Sequence, residues 1–471
     1  MSEQQELTLN RGGNGFSRSL GSGSFLVLAE HEPPGAMISP DMAGEKLAAL
    51  DAAAAAASVE LPMALAVTDR YSFKASHRAC EYAGALPEER RNEHIFYLSG
   101  RGMDFREMRD LLSVCRNNNL RNVVPVSGDF VAGARCIEDV RVLDFMRREY
   151  AGEFNPGCVV NPFEYRADSQ FSQLFKLIKK FNRGAQFAVA QAGWDMRKLQ
   201  ALKWYLSFRG MEYPLIARLI LLTPEKLEKI QSGGCPGIAV SPDFAAILKR
   251  ELSFSAKQFE AAQWRRLELQ AAGCKLLGFS AVQIEGIDTP DRMRLAAMRL
   301  RSALREFSTF EQWVEEYNSY QARAEMAPRP DSFMLFDNLL SHRHYDPNCG
   351  FCRDASTLSS PGAGDRLLYR LCSALFGGER GARATGRGLL KLIFAGCVNC
   401  GRCRLAETEF VCVGRCPKQL SNGACGGVGP DGSCEADRSR RCVFLKQTHI
   451  AEWLGEPDVL EERYIPAADE E

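Results

Sequence analysis

The sequence lacks several features that would assign it to a large class of proteins. No run of about eighteen or more apolar residues occurs, so no segment is predicted to span a membrane as a helix. The N-terminus is polar and rich in glycine and serine, without the apolar segment of a secretory signal peptide. Lysine and arginine number 59, as do aspartate and glutamate, so charge does not favour nucleic acid or an anionic membrane as a partner. We therefore expect a soluble cytoplasmic protein.

A dinucleotide-binding fingerprint is also missing, because no G-x-G-x-x-G lies between a strand pattern and a helix pattern. No separate nicotinamide domain is therefore expected. Cysteine, in contrast, is abundant: the chain of 471 residues has 17, and eight of them lie between Cys397 and Cys442. In a reducing compartment, clustered cysteines are metal ligands more often than disulfides, and the odd total agrees with this interpretation.

The clustered cysteines are spaced as metal ligands. Cys397, Cys400 and Cys403 form a C-x2-C-x2-C run, and the five others follow at wider intervals: Cys412, Cys416, Cys425, Cys434 and Cys442. The apolar positions around them are too few for a hydrophobic core, so we expect metal ligation to stabilise this segment. Three close thiolates with a distant fourth beside proline are typical of a 4Fe-4S site, whereas four-cysteine zinc sites use similar pairs. Both alternatives stay open, and eight ligands could hold two centres.

The chain before the cysteines alternates short apolar runs with amphipathic helical windows. Eight runs are predicted to be strands: Phe25–Glu30, Met63–Thr68, His94–Leu98, Asn122–Ser127, Gly157–Asn161, Gln186–Gln191, Pro214–Leu222 and Ser280–Glu285. Eight strands separated by helices over about 280 residues predict an α/β fold, a (β/α)8 or TIM barrel. A doubly wound open sheet is the alternative.

Polar residues follow most of the predicted strands. Glu30 ends the first strand, Ser127-Gly128-Asp129 follows the fourth, and Asn161 and Gln191 end the fifth and sixth. Barrel enzymes carry their chemistry at the carboxyl ends of the strands. Each of these residues could be a turn or cap, but together they predict a functional rim.

The order of these motifs resembles the flavin barrel of the methylenetetrahydrofolate reductase family over residues 25–305. The motifs are Glu30 with Pro33-Pro34, HIFYLSG, VSGD, VVNPF, the helix with Lys179-Lys180, AVAQ, and Cys235-Pro236-Gly237-Ile238. The stretch GCVNCGRCRLAETEFVCVGRCPKQLSNGACGG resembles the C-terminal domain found with some reductases of anaerobic bacteria.

The resemblance implies that a flavin passes a hydride to 5,10-methylenetetrahydrofolate. Glu30 matches the general acid that protonates the folate N10, Asp129 the aspartate between flavin and pterin, and Gln191 the glutamine that binds the pterin. Lys180 matches a flavin-phosphate contact, and Gly128 and Asn161 are expected beside the cofactor. FAD is favoured. FMN is the alternative, because the chain has Asn-Pro-Phe-Glu-Tyr where the family commonly has Tyr-Pro-Glu-x-His.

Four regions are expected: a flexible N-terminus (1–24), the barrel (25–305), a bridging helical linker (306–345) and the Cys-rich domain (346–471). Cys349 and Cys352 form a further C-x2-C pair without an assigned role. The first functional hypothesis is a flavin-dependent reductase whose Cys-rich domain relays electrons or docks an electron-donor or one-carbon partner protein. The second is a non-catalytic or regulatory scaffold with a structural zinc domain. An oligomer is possible in either case.

Overall fold

The computed structural model describes residues 14–35, 37–69, 77–133, 136–322, 324–328, 333–335, 340, 358, 360–376, 388–400 and 403–466. Eight of the described segments are parallel strands of one sheet. In chain order they are β1 (Leu26–His31), β2 (Met63–Val67), β3 (Ile95–Ser99), β4 (Val123–Val126), β5 (Gly157–Val160), β6 (Phe187–Ala190), β7 (Leu215–Ile220) and β8 (Ala281–Glu285).

Helices alternate with these strands. In the first half they are α1 (Gly15–Gly21), α2 (Pro40–Ala57), α3 (Ala79–Tyr82), α4 (Phe105–Asn117), α5 (Asp139–Glu149), α6 (Ala167–Asn182) and α7 (Met196–Phe208). They continue as α8 (Pro224–Gln231), α9 (Pro242–Phe254), α10 (Ala256–Leu276), α11 (Pro290–Glu306) and α12 (Phe310–Tyr320). The C-terminal part has α13 (Ala363–Phe376), α14 (Gly388–Ala395), α15 (Val443–Leu454) and α16 (Asp458–Glu462). None of the described helices combines the length and apolar content needed to cross a lipid bilayer.

The strand order is β4-β3-β2-β1-β8-β7-β6-β5, so strands adjacent in sequence pair with each other except β4 and β5, and β8 returns to pair with β1. This is a nearly closed TIM barrel, with its seam between β4 and β5. The predicted barrel is confirmed. The doubly wound alternative is wrong, because such a sheet reverses its strand order at a switch point and this one does not.

Alternate residues along each strand point into the barrel or outward toward the helices. The apolar cluster inside the barrel includes Leu26 and Leu28 of β1, whereas Val27 and Ala29 belong to the cluster beneath the helices. The same alternation gives Glu30 an inward position at the carboxyl end of β1. Inward residues of a (β/α)8 barrel stack in layers, so polar ones near the carboxyl ends meet across the interior.

Residues 15–21 differ from the flexible N-terminus that the sequence predicts, because they form α1. Asn14 caps this helix by accepting a hydrogen bond from the backbone N–H of Ser17. Phe16 and Leu20 are buried in the apolar cluster inside the barrel, and the Phe16 ring meets the Phe187 ring edge-on with centroids 5.1 Å apart. Burial of these two side chains stabilises a segment whose composition alone suggested disorder.

The Cys-rich segment packs on the barrel around a small apolar cluster of its own. Val413, Leu420, Val428, Phe444 and Leu445 are buried there. From its few apolar positions the sequence predicted no hydrophobic core in this segment, whereas the structure shows this small one. Helix α15 also contacts the barrel helix α6. The segment therefore gains part of its burial from the barrel surface.

Candidate functional site

A cavity of about 500 Å³ opens at the carboxyl ends of the strands. All six residues that the sequence predicts for catalysis and cofactor binding line it: Glu30, Gly128, Asp129, Asn161, Lys180 and Gln191. Cys425, one of the eight predicted metal ligands, lines it as well. The fold therefore brings together residues that lie nearly 400 positions apart in the chain. Their individual roles remain predictions.

Glu30 is buried and held by several hydrogen bonds inside the barrel. Arg218 of β7 donates to both of its carboxylate oxygens, from Nε to Oε2 at 2.6 Å and from Nη2 to Oε1 at 2.7 Å. Gln283 of β8 donates from Nε2 to Oε2 at 2.7 Å, and Tyr97 of β3 in turn donates its hydroxyl to Gln283 at 2.7 Å. A bidentate pair of this kind is among the stronger hydrogen-bonded contacts in proteins.

Arg218 also contacts residues other than Glu30. Its Nη1 donates to Oε1 of Gln191 at 3.0 Å, and its Nη2 donates to Oε2 of Glu285 at 2.7 Å. Lys226 forms an ion pair with the other oxygen of Glu285. Burial alone would lower the pKa of Arg218, but the charges of Glu30 and Glu285 outweigh burial and raise the pKa above its usual value. Arg218 thus links two of the three predicted catalytic residues.

Gly128 and Asp129 lie in the turn after β4. Gly128 has a φ of +77°, and a Cβ there would lie 2.7 Å from the hydroxyl oxygen of Ser99, so the turn requires glycine. The backbone N–H of Phe130, the next residue after Asp129, donates to Oε1 of Glu435 at 2.7 Å. The loop that carries Asp129 is therefore attached to the Cys-rich segment.

Asn161 follows β5 and connects the barrel to the Cys-rich segment. Its Nδ2 donates to the carbonyl oxygens of Gly426 at 2.8 Å and Gly237 at 3.3 Å. The same nitrogen also lies 3.2 Å from Oε1 of Glu164, a carboxyl whose pKa burial raises to about 8. Its Oδ1 accepts from the backbone N–H of Phe163. The amide of Asn161 is thus occupied by contacts within the chain.

The ammonium group of Lys180 also makes its contacts within the chain. Its Nζ lies 2.6 Å from Oδ2 of Asp139 and donates to the carbonyl oxygen of Val159 at 2.7 Å. Burial would raise the pKa of Asp139, but the charges of Lys176 and Lys180 outweigh it and hold that pKa well below the usual range. The second lysine, Lys176, ion-pairs with Glu138 at 3.0 Å. Lys180 therefore belongs to a buried charge network on the cavity wall.

Six residues of the Cys-rich segment complete the cavity wall: Lys418, Ala424, Cys425, Gly426, Gly427 and Glu435. Lys418 and Glu435 are both buried, with Nζ 3.0 Å from Oε2. The thiol of Cys425 donates to the same Oε2 at 3.2 Å. A Cβ on Gly237 of the barrel would lie 2.2 Å from the Gly426 carbonyl oxygen, so the two backbones are in close contact.

Comparisons with known proteins agree with these two structural parts. Residues 19–235 match the family described as methylenetetrahydrofolate reductase, and residues 383–471 match the one described as methylene-tetrahydrofolate reductase C terminal. The chain therefore joins a methylenetetrahydrofolate reductase domain to the C-terminal domain of that family. The resemblance predicted from the motifs is confirmed. The match supports an oxidoreductase that acts on a folate in one-carbon metabolism.

Solved structures give weaker similarities. An uncharacterized protein from Clostridium thermocellum that binds two copies of 5-methyl-5,6,7,8-tetrahydrofolic acid is 14% identical, with a TM-score of 0.42 over 61% of this chain and 99% of that one. A dihydropteroate synthase from Coxiella burnetii, in complex with pteroic acid, is 8% identical, with a TM-score of 0.28 over 59% of this chain and 94% of that one. At these TM-scores neither similarity bears on function. No curated protein matches the chain significantly.

The cysteines of the reductase-family C-terminal domain fall into two neighbourhoods. Burial, together with the nearby thiols of Cys416 and Cys434, raises the pKa of Cys442 to about 12. Burial likewise raises the pKa of Cys412, which lies near Cys397 and Cys400. No group of three or more cysteine, histidine, aspartate or glutamate side chains is arranged to hold a metal ion among the residues that the structure describes. Cys349 and Cys352 lie outside those residues.

Sequence reasoning did not identify Arg218, Gln283, Glu285, Lys418 or Glu435 as site residues. Arg218 offered a signal, because it is a charged residue in the middle of the apolar run Pro214–Leu222. A charge in a buried strand requires a partner, and on this fold the partner lies on another strand. Lys418 and Glu435 gave no comparable signal, because nothing in their local sequence indicates contact with a barrel.

Proposed function

We propose that this chain reduces 5,10-methylenetetrahydrofolate to 5-methyltetrahydrofolate with a bound flavin. The observation that carries the proposal is that Glu30, Asp129 and Gln191 all line one cavity in a barrel that matches the reductase family. The three residues come from β1, the turn after β4 and the end of β6. A ligand in this cavity would contact a proton donor and two pterin-binding groups at the same time.

A flavin is compatible with the lining of this cavity. Arg101 lines the cavity, and its Nε is buried without a hydrogen-bond partner among the residues that the structure describes. Such a cation suits a phosphate group, because an unpaired buried donor is costly. Lys229 also lines the cavity. The chemistry that a flavin supplies when bound is the donation of a hydride. FAD and FMN both remain compatible with these contacts.

In this proposal the protein contributes proton transfer and orientation. Glu30 donates a proton to the folate N10, so that the five-membered ring opens to a reactive iminium. Gln191 and Asp129 hold the pterin, and their separate positions around the rim fix its plane. The apolar strands beneath them and the Cys-rich segment above them limit the access of water.

The proposed task of the Cys-rich domain is electron delivery, either by relay through an iron-sulfur centre or by docking a donor protein. Two features support it: Cys425 lines the cavity, and the thiols of Cys416, Cys434 and Cys442 are neighbours. The donor set suits iron-sulfur or zinc chemically. The side chains that the structure describes are not arranged to hold a metal ion.

One observation favours the scaffold alternative. Asn161 and Lys180, both predicted to contact the cofactor, are instead hydrogen-bonded within the chain. A barrel that does not bind flavin could keep these contacts permanently. In that case the Cys-rich domain would carry structural zinc, and the chain would assemble with one-carbon partner proteins.

The flavin content of the purified full chain distinguishes the two functions. The reductase should contain flavin after anaerobic purification, or bind added flavin, and should oxidise it with 5,10-methylenetetrahydrofolate when an artificial donor supplies electrons. A folded chain that neither contains nor binds flavin would refute the reductase proposal and favour the scaffold.

A further inference from the structure

Arg218 is a largely enclosed cation inside the barrel, its side chain 17% exposed, where inward residues are usually apolar. Its guanidinium makes two bonds to Glu30, one to Gln191 and one to Glu285, at distances of 2.6 to 3.0 Å. Burying such a charge costs several kcal/mol unless its partners are well arranged. This chain retains the arginine beside the carboxyl group that the proposed reaction uses as an acid.

The observed bonding favours the ionised form of Glu30. Both carboxylate oxygens accept hydrogen bonds from Arg218, and Oε2 also accepts from Gln283. A proton on Glu30 would remove the negative charge that strengthens these bonds to Arg218. A general acid, however, must carry a proton before it can give one away. Glu30 is therefore a poor acid while Arg218 keeps both of these bonds.

Glu285 offers Arg218 a second partner without a new burial cost. One nitrogen, Nη2, already lies 2.7 Å from both Oε1 of Glu30 and Oε2 of Glu285. A small rotation of the guanidinium toward Glu285 would keep its charge paired. Lys226 holds the far oxygen of Glu285 in place for this contact. The two carboxylates, Glu30 and Glu285, balance the charges of Arg218 and Lys226. A proton on Glu30 therefore leaves the group with one positive charge, which an electron-rich ligand can offset.

We propose that Arg218 is a positioning residue that holds Glu30 ionised in the ligand-free chain and moves to Glu285 when folate occupies the cavity. Glu30 then takes a proton from solvent and passes it to the folate N10. The electron pair of the breaking carbon–nitrogen bond stays on N10, and Glu30 returns to the carboxylate that Arg218 binds. The inference rests on the proposed reaction, although the pairing of Arg218 with Glu30 can be tested without it.

The other groups around Glu30 do not replace Arg218 in this role. Gln191 and Gln283 carry no charge, and Tyr97 is kept neutral because burial, and then the charge of Glu30, raises its pKa. Asp69, after β2, is paired with Arg78 at 2.8 Å. Glu285 and Lys226 bind each other. Arg218 is thus the main described cation that opposes protonation of Glu30.

The first experiment uses infrared spectroscopy of the full chain without ligand. The acid C=O band of Glu30 is assigned in the Arg218→Gln background, by its loss when Glu30→Gln is added. At about pH 6, above the usual range for glutamate, the native chain should lack this band and Arg218→Gln should show it. Loss of a close opposite charge should raise the titration midpoint by about 1 to 3 pH units, or about 10- to 1000-fold in proton affinity. Arg218→Lys keeps the charge and should remain close to native, which also tests the idea if Arg218→Gln folds poorly.

The second experiment measures the rate at which 5,10-methylenetetrahydrofolate oxidises reduced flavin across the pH range. A general acid is lost as the pH rises, so Arg218→Gln should move the high-pH fall in rate upward. Glu285→Gln should move it downward, because it removes both a repelling charge and the alternative partner of Arg218. Opposite shifts are not expected from mere loss of structure.

The outcomes separate the inference from the proposed function. A Glu30 acid band already present in the native chain, or absent from Arg218→Gln at the same pH, would overturn the role of Arg218. Shifts of the same sign in both variants would also overturn it. If no variant oxidises reduced flavin with folate, the proposed reaction fails, whereas the infrared result still decides whether Arg218 controls the proton on Glu30.

Discussion

Replacement of Glu138 by glutamine tests how firmly the Cys-rich segment is attached to the barrel. Glu138 immediately precedes α5 and is 1% exposed. Its carboxylate accepts the backbone N–H groups of Ser421 and Asn422 at 3.1 Å and the Nδ2 of Asn422 at 2.9 Å. Lys176 of α6 lies 3.0 Å from its Oε1. One buried carboxylate thus joins two barrel elements to the C-terminal segment.

The size of the effect follows from these contacts. A hydrogen bond to a charged group contributes about 1 kcal/mol more than a neutral one, and Glu138 accepts three from the C-terminal segment. Glutamine keeps one acceptor oxygen but turns a donor toward the backbone N–H groups. Lys176 retains Asp139 at 3.4 Å, so its charge is not left unpaired. We expect Glu138→Gln to weaken the attachment by about 2 to 4 kcal/mol.

The pH dependence has a definite sign. Burial would raise the pKa of Glu138, but the charge of Lys176 outweighs it and the pKa is lowered. A carboxyl with a lowered pKa in the folded state stabilises the fold above its unfolded pKa, and this stability is lost as the pH falls toward the folded pKa. The native attachment should therefore weaken on acidification below about pH 4, near the ordinary glutamate value. In Glu138→Gln this part of the pH dependence should disappear.

Thermal unfolding and limited proteolysis of the full chain would measure the attachment. The variant should release the Cys-rich segment to protease at a lower temperature than native, with the barrel transition little changed. Asp291→Asn serves as the control, because its carboxylate is 91% exposed and pairs with an exposed arginine, Arg294. Removing such a pair should cost less than about 1 kcal/mol. Equal effects of the two variants would refute the reasoning.

Two further predictions concern catalysis and metal binding. Glu30→Gln should slow folate turnover about 10²- to 10⁴-fold, the usual contribution of a positioned general acid. Reduction of bound flavin by an artificial donor should stay at the native rate. Equal loss in both half-reactions would mean that Glu30 has a structural role. If the Cys-rich domain relays electrons through an iron-sulfur centre, Cys400→Ser should remove iron and abolish turnover with a protein donor, while chemically reduced flavin still reacts and Cys274→Ala behaves as native. Zinc with little iron, together with a merely less stable C-terminal domain in Cys400→Ser, would contradict the electron relay.

The barrel could be predicted because its strands are buried on both faces and therefore appear as continuous apolar runs. The sequence predicts a strand at Met63–Thr68, and the structure has Met63–Val67. The predicted Pro214–Leu222 shortens to Leu215–Ile220. Pro62 and Pro214 immediately precede the two strands, and the predicted boundaries agree with the observed ones to within one or two residues. Once the barrel was assumed, the polar residues at the strand ends could be predicted to lie together at one rim.

The partners of those residues could not be predicted in the same way. Arg218 and Glu30 are 188 positions apart, and no local period relates them. The strand pattern records which residues point inward but not which inward residues meet across the interior. Asn161 and Lys180 were predicted to face a cofactor, yet their side chains contact Gly426 and Asp139. A motif gives a residue type at a position, whereas its hydrogen bonds depend on the packing of distant segments.

The contacts between the two parts bear on how the cavity works. Glu435 accepts from the Phe130 backbone, pairs with Lys418 and accepts from the thiol of Cys425. The loop that carries Asp129 is therefore one hydrogen bond away from the cysteine segment. Separating the parts would remove six lining residues and leave the Phe130 N–H without its acceptor. The cavity in which Glu30 and Arg218 meet is thus a property of the joined chain, and activity measured on the barrel alone would not test it.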